Sequence, residues 1–148
     1  MPKKPTAEDA QIIMRLYDLR REAEMRKARG WFAGFWPRNA DDAVQVINAV
    51  NPQENAWFRQ VSSYWDMAAS FVLRGALHEE LFVDNSGEMF FVLGKVYPFL
   101  KEVREKAHSP YLQRVENVAT RTKEARERLQ MMVKRAEAKR AAAVAKAS

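Results

Sequence analysis

The chain has 148 residues, 47% apolar and 30% charged, and contains no Cys. It is long enough for one domain with a true hydrophobic core, and the lack of Cys excludes disulfides, thiolate nucleophiles and zinc–thiolate centres. No apolar run approaches the roughly 20 residues that cross a bilayer, and no apolar segment follows Met1-Pro2-Lys3-Lys4-Pro5. A soluble, cytoplasmic protein is expected.

The net charge of +6 is spread unevenly. Residues 1–108 hold 15 Lys and Arg against 15 Asp and Glu, whereas residues 109–148 hold 10 against 4. The whole excess sits on the final segment. This divides the chain into a neutral body over 6–108 and a basic appendage over 109–148.

Thr6 and Asp9 resemble a capping box with Asp in the place of Glu. They open a helix in which Ile12, Leu16, Leu19 and Ala23 form one apolar stripe, and Gly30 is read as its left-handed end. Trp31 to Pro37 follows as an aromatic connector. Asn39 or Asp41 then caps a short helix with Ala43, Val44, Ile47 and Val50 facing inward, and Asn51-Pro52 starts the next one. From about Glu54 to Arg74 two apolar stripes, one through Trp57, Val61 and Tyr64 and one through Phe58, Trp65 and Val72, mark a central helix closed by Gly75.

Leu77, Leu81 and Phe82 predict a short helix ended by the turn-rich Asp84-Asn85-Ser86-Gly87. From about Glu88, the residues Leu93, Val96, Leu100 and Val103 keep register through Pro98. This predicts either a kink eased by Gly94, four residues before the proline, or a break at Tyr97. Ser109-Pro110 reads as a cap followed by Pro at the first helical position, and a final helix is expected from Pro110 to about Ala145. No strand-like alternation competes. The fold class is all-α, an irregular bundle of about five to six helices with a long basic C-terminal helix.

Along that helix Tyr111, Val115, Val118, Thr122, Ala125, Leu129, Met132 and Ala136 form a heptad seam weakened by Thr and Ala. Some 35 helical residues would span about 50 Å, against roughly 35 Å for the body. The first half is therefore expected to pack on the bundle and the part beyond Met132 to project. A parallel self-pair would set Arg121 against Arg126 of its mate, which disfavours a homodimeric coiled coil and suits an acidic partner helix. The partner-binding candidates are Arg121, Arg126, Arg128, Lys134, Arg135, Lys139 and Arg140. The plainer reading is a solvated helix end whose cations complement the dipole.

Chemistry is sparse. His78 and His108 stand apart without ligand spacing, His78-Glu79-Glu80 has no second His four residues on, and no phosphate loop, dinucleotide fingerprint or serine elbow occurs. No catalytic residue, metal or cofactor is expected, and the reading is non-enzymatic. Asp66 and Arg74, eight positions apart on one helix, are each expected to pair with a neighbouring helix. Trp31, Phe32, Phe35 and Trp36 either close one end of the bundle or, if exposed, form a hydrophobic contact site for a partner or membrane surface.

Leu16-Tyr17-Asp18-Leu19-Arg20-Arg21, Arg26-Lys27-Ala28-Arg29, Trp65-Asp66-Met67 and Val72-Leu73-Arg74-Gly75 occur in that order, extended by Leu77, Glu79-Glu80-Leu81 and Pro98-Phe99-Leu100. The stretch from Leu16 to about Arg104 resembles a family of small bacterial helical proteins known only as a domain of unknown function. The resemblance implies a helical fold and no assigned activity. Members often carry N-terminal membrane helices, which this sequence does not show.

The functional expectation is a helical protein-interaction module that presents a basic helix to an acidic protein partner. One alternative is sequence-independent, salt-sensitive nucleic-acid binding through the same helix. Another is peripheral association with a membrane surface through the aromatic loop and tail. A homodimer formed through the bundle is also open.

Overall fold

A computed structural model describes residues 3–147 and is all-α. Among the described residues there are nine α-helices and a single 3-10 turn, Tyr97–Phe99, with no strand. The helices are α1 (Ala7–Leu19), α2 (Ala23–Gly34), α3 (Ala40–Ile47), α4 (Pro52–Leu73), α5 (Glu79–Asp84), α6 (Gly87–Val96), α7 (Leu100–Ala107), α8 (Gln113–Arg121) and α9 (Lys123–Ala147). The number exceeds the expected five to six because three anticipated helices are each divided in two.

The first division lies at Arg20–Glu22. Glu22 acts as a new N-cap, accepting from the Glu24 and Met25 amides at 3.0 and 2.9 Å. Gly30 is therefore a residue within α2, not the end of a first helix, and half of the aromatic connector is helical. The buried set changes with the break: Leu16 faces inward on α1, Leu19 is exposed, and Met25, Ala28 and Phe32 take over on α2. The Thr6–Asp9 capping box forms as expected, and Asp9 also accepts the His78 amide at 3.0 Å, tying α1 to α5.

The second division is at Pro98, where α6 ends at Val96 and the 3-10 turn leads into α7. Gly94 serves a different purpose from the one expected. A Cβ there would lie 2.9 Å from the Met132 Cβ and 3.2 Å from the Met132 carbonyl carbon, so its bare backbone lets α9 approach α6 closely. The third division replaces the single helix expected from Pro110 to about Ala145. Pro110 stands before α8, and Thr122 adopts an extended backbone between α8 and α9 while its hydroxyl accepts the Ala125 amide at 3.2 Å.

α4 and α6 share the centre. α4 buries Phe58, Val61, Tyr64, Trp65, Ala68, Ala69 and Val72, and α6 is enclosed from Met89 to Val96 apart from Phe91. α2 and α8 pack on α4, α3 packs on α7 and α4, and α9 packs on α6 and α8. Val46, outside the stripe assigned to α3, is buried while Val50 is exposed. The heptad seam faces the body: Val115, Val118, Ala125, Leu129 and Ala136 are all buried. Burial reaches Ala136, beyond the Met132 boundary expected for projection, and residues 141–147 are exposed. Among the described residues no helix is long and apolar enough to cross a membrane.

Candidate functional site

The seven candidate partner-binding cations of the C-terminal segment divide into two sets. The first caps the C-terminal ends of helices, where carbonyls lack intrahelical partners and the dipole is negative. Arg126 Nη1 donates to the carbonyls of Thr120 and Arg121 at 3.0 and 3.5 Å, closing α8. Arg128 Nη1 donates to the Val83 carbonyl near the end of α5, with its guanidinium 4.6 Å from the Phe90 ring centroid. Arg140 Nη1 donates to the Lys95 carbonyl at the end of α6, at 3.0 Å, and lies over Phe99. Arg121 lies 3.7 Å from the Glu79 carboxylate. Four of the seven candidate partner-binding residues thus make intramolecular contacts.

The second set is Lys134, Arg135 and Lys139, all exposed on α9. Arg135 and Lys139 rim a depression of about 180 Å³ whose apolar floor is Trp36, Phe91, Met132 and Ala136. Spacings of four and seven residues place Arg135, Lys139 and Lys146 along one edge of the helix.

Lys95 underlies that floor. Its side chain is buried on α6, and Nζ donates to the carbonyls of Phe32, Ala33 (3.3 Å) and Phe35 (2.7 Å), which close α2. The ammonium also sits 4.1 Å from the Trp36 ring centroid and 4.2 Å from that of Phe91. Burial pushes Lys95 down to about 7 from its usual 10.5. Three carbonyl acceptors matched to three ammonium protons pull the other way.

The aromatic connector is split by this arrangement. Phe32 is buried and stacks on Phe58 at 5.7 Å, while Trp31 stacks on Phe35 at 4.9 Å and both meet Phe58 edge-on. These three close one end of the bundle over α4. Trp36 turns away to meet Phe91 edge-on at 5.8 Å, so the four rings do not share one surface. Trp31, Phe35 and Trp36 are half-buried.

Several key residues escaped sequence reasoning. Glu88 accepts from Arg29 Nε at 2.7 Å, Arg20 Nη2 at 3.5 Å and Trp65 Nε1 at 3.0 Å, joining α1, α2, α4 and α6. Asp66 does pair with a neighbouring helix. Its Oδ1 accepts the Arg114 and Val115 amides at 3.0 and 3.2 Å and its Oδ2 accepts Arg114 Nη1, capping α8 from α4. The fragments Arg20, Arg29, Trp65 and Asp66, which carry the family resemblance, thus build the fold. Their convergence has no short-range sequence signal. His78 is also structural, its Nδ1 accepting the Leu81 amide as the N-cap of α5. Among the described residues no three His, Cys, Asp or Glu side chains are grouped to hold a metal.

No curated protein and no solved structure matches the chain. A family model described as "Domain of unknown function (DUF4760)" matches residues 5–122, from just before α1 to the break at Thr122. The chain belongs to that family.

Proposed function

We propose that the protein is a non-enzymatic interaction module whose α9 edge binds an acidic, amphipathic segment of a partner protein. The observation that carries this reading is the pairing of Arg135 and Lys139 with the apolar floor of Trp36, Phe91, Met132 and Ala136. Cations beside apolar surface suit a helix bearing Asp or Glu next to a Leu- or Phe-type anchor. The internal capping of Arg126, Arg128 and Arg140 narrows the binding set to Lys134, Arg135 and Lys139. The apolar floor beside these cations favours a protein segment over nucleic acid, whose backbone brings phosphates but no apolar anchor.

The test keeps the full chain, since α8 and α9 supply core residues. Wild type and a Lys134→Glu, Arg135→Glu, Lys139→Glu variant are immobilised against lysate from the source cells. A captured acidic protein is then purified and titrated against both. Binding about tenfold weaker or more in the variant, and weakened by salt, is the expected result. Equal affinity for both chains refutes the reading, as does capture dominated by nuclease-sensitive material or by anionic vesicles.

A further inference from the structure

A cavity of about 400 Å³ lies away from α9, between α4 and the segment that joins α7 to α8. It falls within the ~300–1,000 Å³ range of small-ligand sites. Asn55, Arg59, Ser62 and Asp66 follow at spacings of four, three and four, with Ser63 beside Ser62, so α4 lines about 16 Å of groove with polar groups. Opposite stand Pro110 and the half-buried Tyr111, whose ring stacks 5.0 Å from the buried Phe58 ring.

The wall is built, not incidental. His108 and Leu112 both hold left-handed backbone at φ 50° and 55°, a conformation that costs a non-glycine residue about 1–2 kcal/mol. Leu112 is buried, and the buried Ser62 hydroxyl lies 3.0 Å from the Tyr111 hydroxyl, locking the segment to α4.

The charges in the groove are unequal. Asp66 is committed to Arg114 and to the α8 amides. Arg59 has no carboxylate partner among the described residues; its Nε donates to Asn55 Oδ1 at 3.0 Å. Asn55 is fixed in turn through Nδ2 to the carbonyls of Val46 and Ile47 at 2.9 and 3.1 Å. The guanidinium is therefore held by one edge, with both terminal nitrogens available as a fork for a planar anion.

We propose that this groove binds a small carboxylate with an apolar, preferably aromatic, body. The carboxylate meets the Arg59 fork, and the body lies against the half-buried Tyr111 ring and the exposed Pro110.

The test titrates full-length, isotope-labelled protein with phenylacetate, 3-phenylpropionate and 4-phenylbutyrate, and follows amide shifts. Saturable shifts confined to 55–66 and 109–115 are expected with at least one of the three. The corresponding neutral amide should bind about tenfold more weakly, and Arg59→Gln should erase that acid–amide difference. Ser63→Phe, an exposed position where a ring fills the groove without entering the core, should abolish binding while leaving thermal stability near wild type. Failure of all three acids to saturate at millimolar concentrations, equal binding of acid and amide, or shifts centred on α9 would each overturn the proposal. Inorganic phosphate binding as well as the aryl acids would overturn the role given to the apolar body.

Discussion

Gly94→Ala and Gly30→Ala are the same chemical change at two helical glycines, and the structure gives them opposite signs. Either substitution removes backbone freedom from the unfolded chain and improves helix propensity by about 1 kcal/mol. At Gly30 nothing lies within 4 Å of the added methyl, so that gain is expected intact. At Gly94 the methyl would lie 2.9 Å from Met132 Cβ, 3.2 Å from the Met132 carbonyl carbon and 3.3 Å from the Val133 nitrogen. Two of these are backbone atoms of α9, and relief requires moving a helix that packs closely along α6. Overpacking of this kind costs about 1–3 kcal/mol, which outweighs the propensity gain at its midpoint by about 1 kcal/mol. The two variants should therefore differ by about 2 kcal/mol, or roughly 4–8 °C in Tm for a chain of this size. Urea unfolding of the three proteins in parallel measures the difference, and hydrogen exchange should show lost protection on α9 in Gly94→Ala alone. Equal stabilisation by both substitutions would refute the close approach of α6 and α9.

Two further outcomes follow from polar side chains that join helices. The folded pKa of Lys95 lies below its unfolded value, so between about pH 7 and 10.5 the unfolded chain holds the proton more tightly. Stability should accordingly rise with pH over that window, by up to about 2 kcal/mol between pH 7 and 9. Urea midpoints across this range test it, and a flat profile, or an equal slope in Lys95→Met, refutes it. Asp66→Ala removes the acceptor of two α8 amides and should cost about 1–2 kcal/mol, with Asp66→Asn costing less because its amide oxygen still caps. Comparable losses in both variants, read by thermal unfolding, would show that the Arg114 ion pair rather than the cap dominates.

The legible features were those written in local chemistry. The Thr6–Asp9 box, Asn39 and Asn51 as caps, the extent of α4 and the stop at Gly75 rest on side chains within four residues of one another. The break at Pro98 likewise follows from a steric rule. Glu22 and Thr122 were missed because each cap lies within a run whose apolar periodicity continues across it. At Thr122 the periodicity reports burial on the same body, not one unbroken rod, whereas at Glu22 its flanking members Leu19 and Ala23 are exposed. The candidate surface was half legible: the charge excess pointed to the last 40 residues, but Arg126, Arg128 and Arg140 contact carbonyls on other turns or other helices. The groove had one available signal in the sequence, the line of Asn55, Arg59, Ser62 and Asp66 at spacings of four, three and four beside the apolar stripes of α4.

The cationic caps also determine how α9 can be used. Arg128 and Arg140 reach from it to the ends of α5 and α6, so detaching α9 would strip terminal carbonyls of two other helices of their arginine donors as well as exposing Leu129 and Ala136. The helix acts as a tie-bar for the bundle, and swinging it out as a free arm would loosen the structure that anchors it. Any protein that binds here must read α9 in place, along its outward edge. On the proposed reading, recognition would be rigid-body docking, with fast, charge-steered association and little conformational penalty.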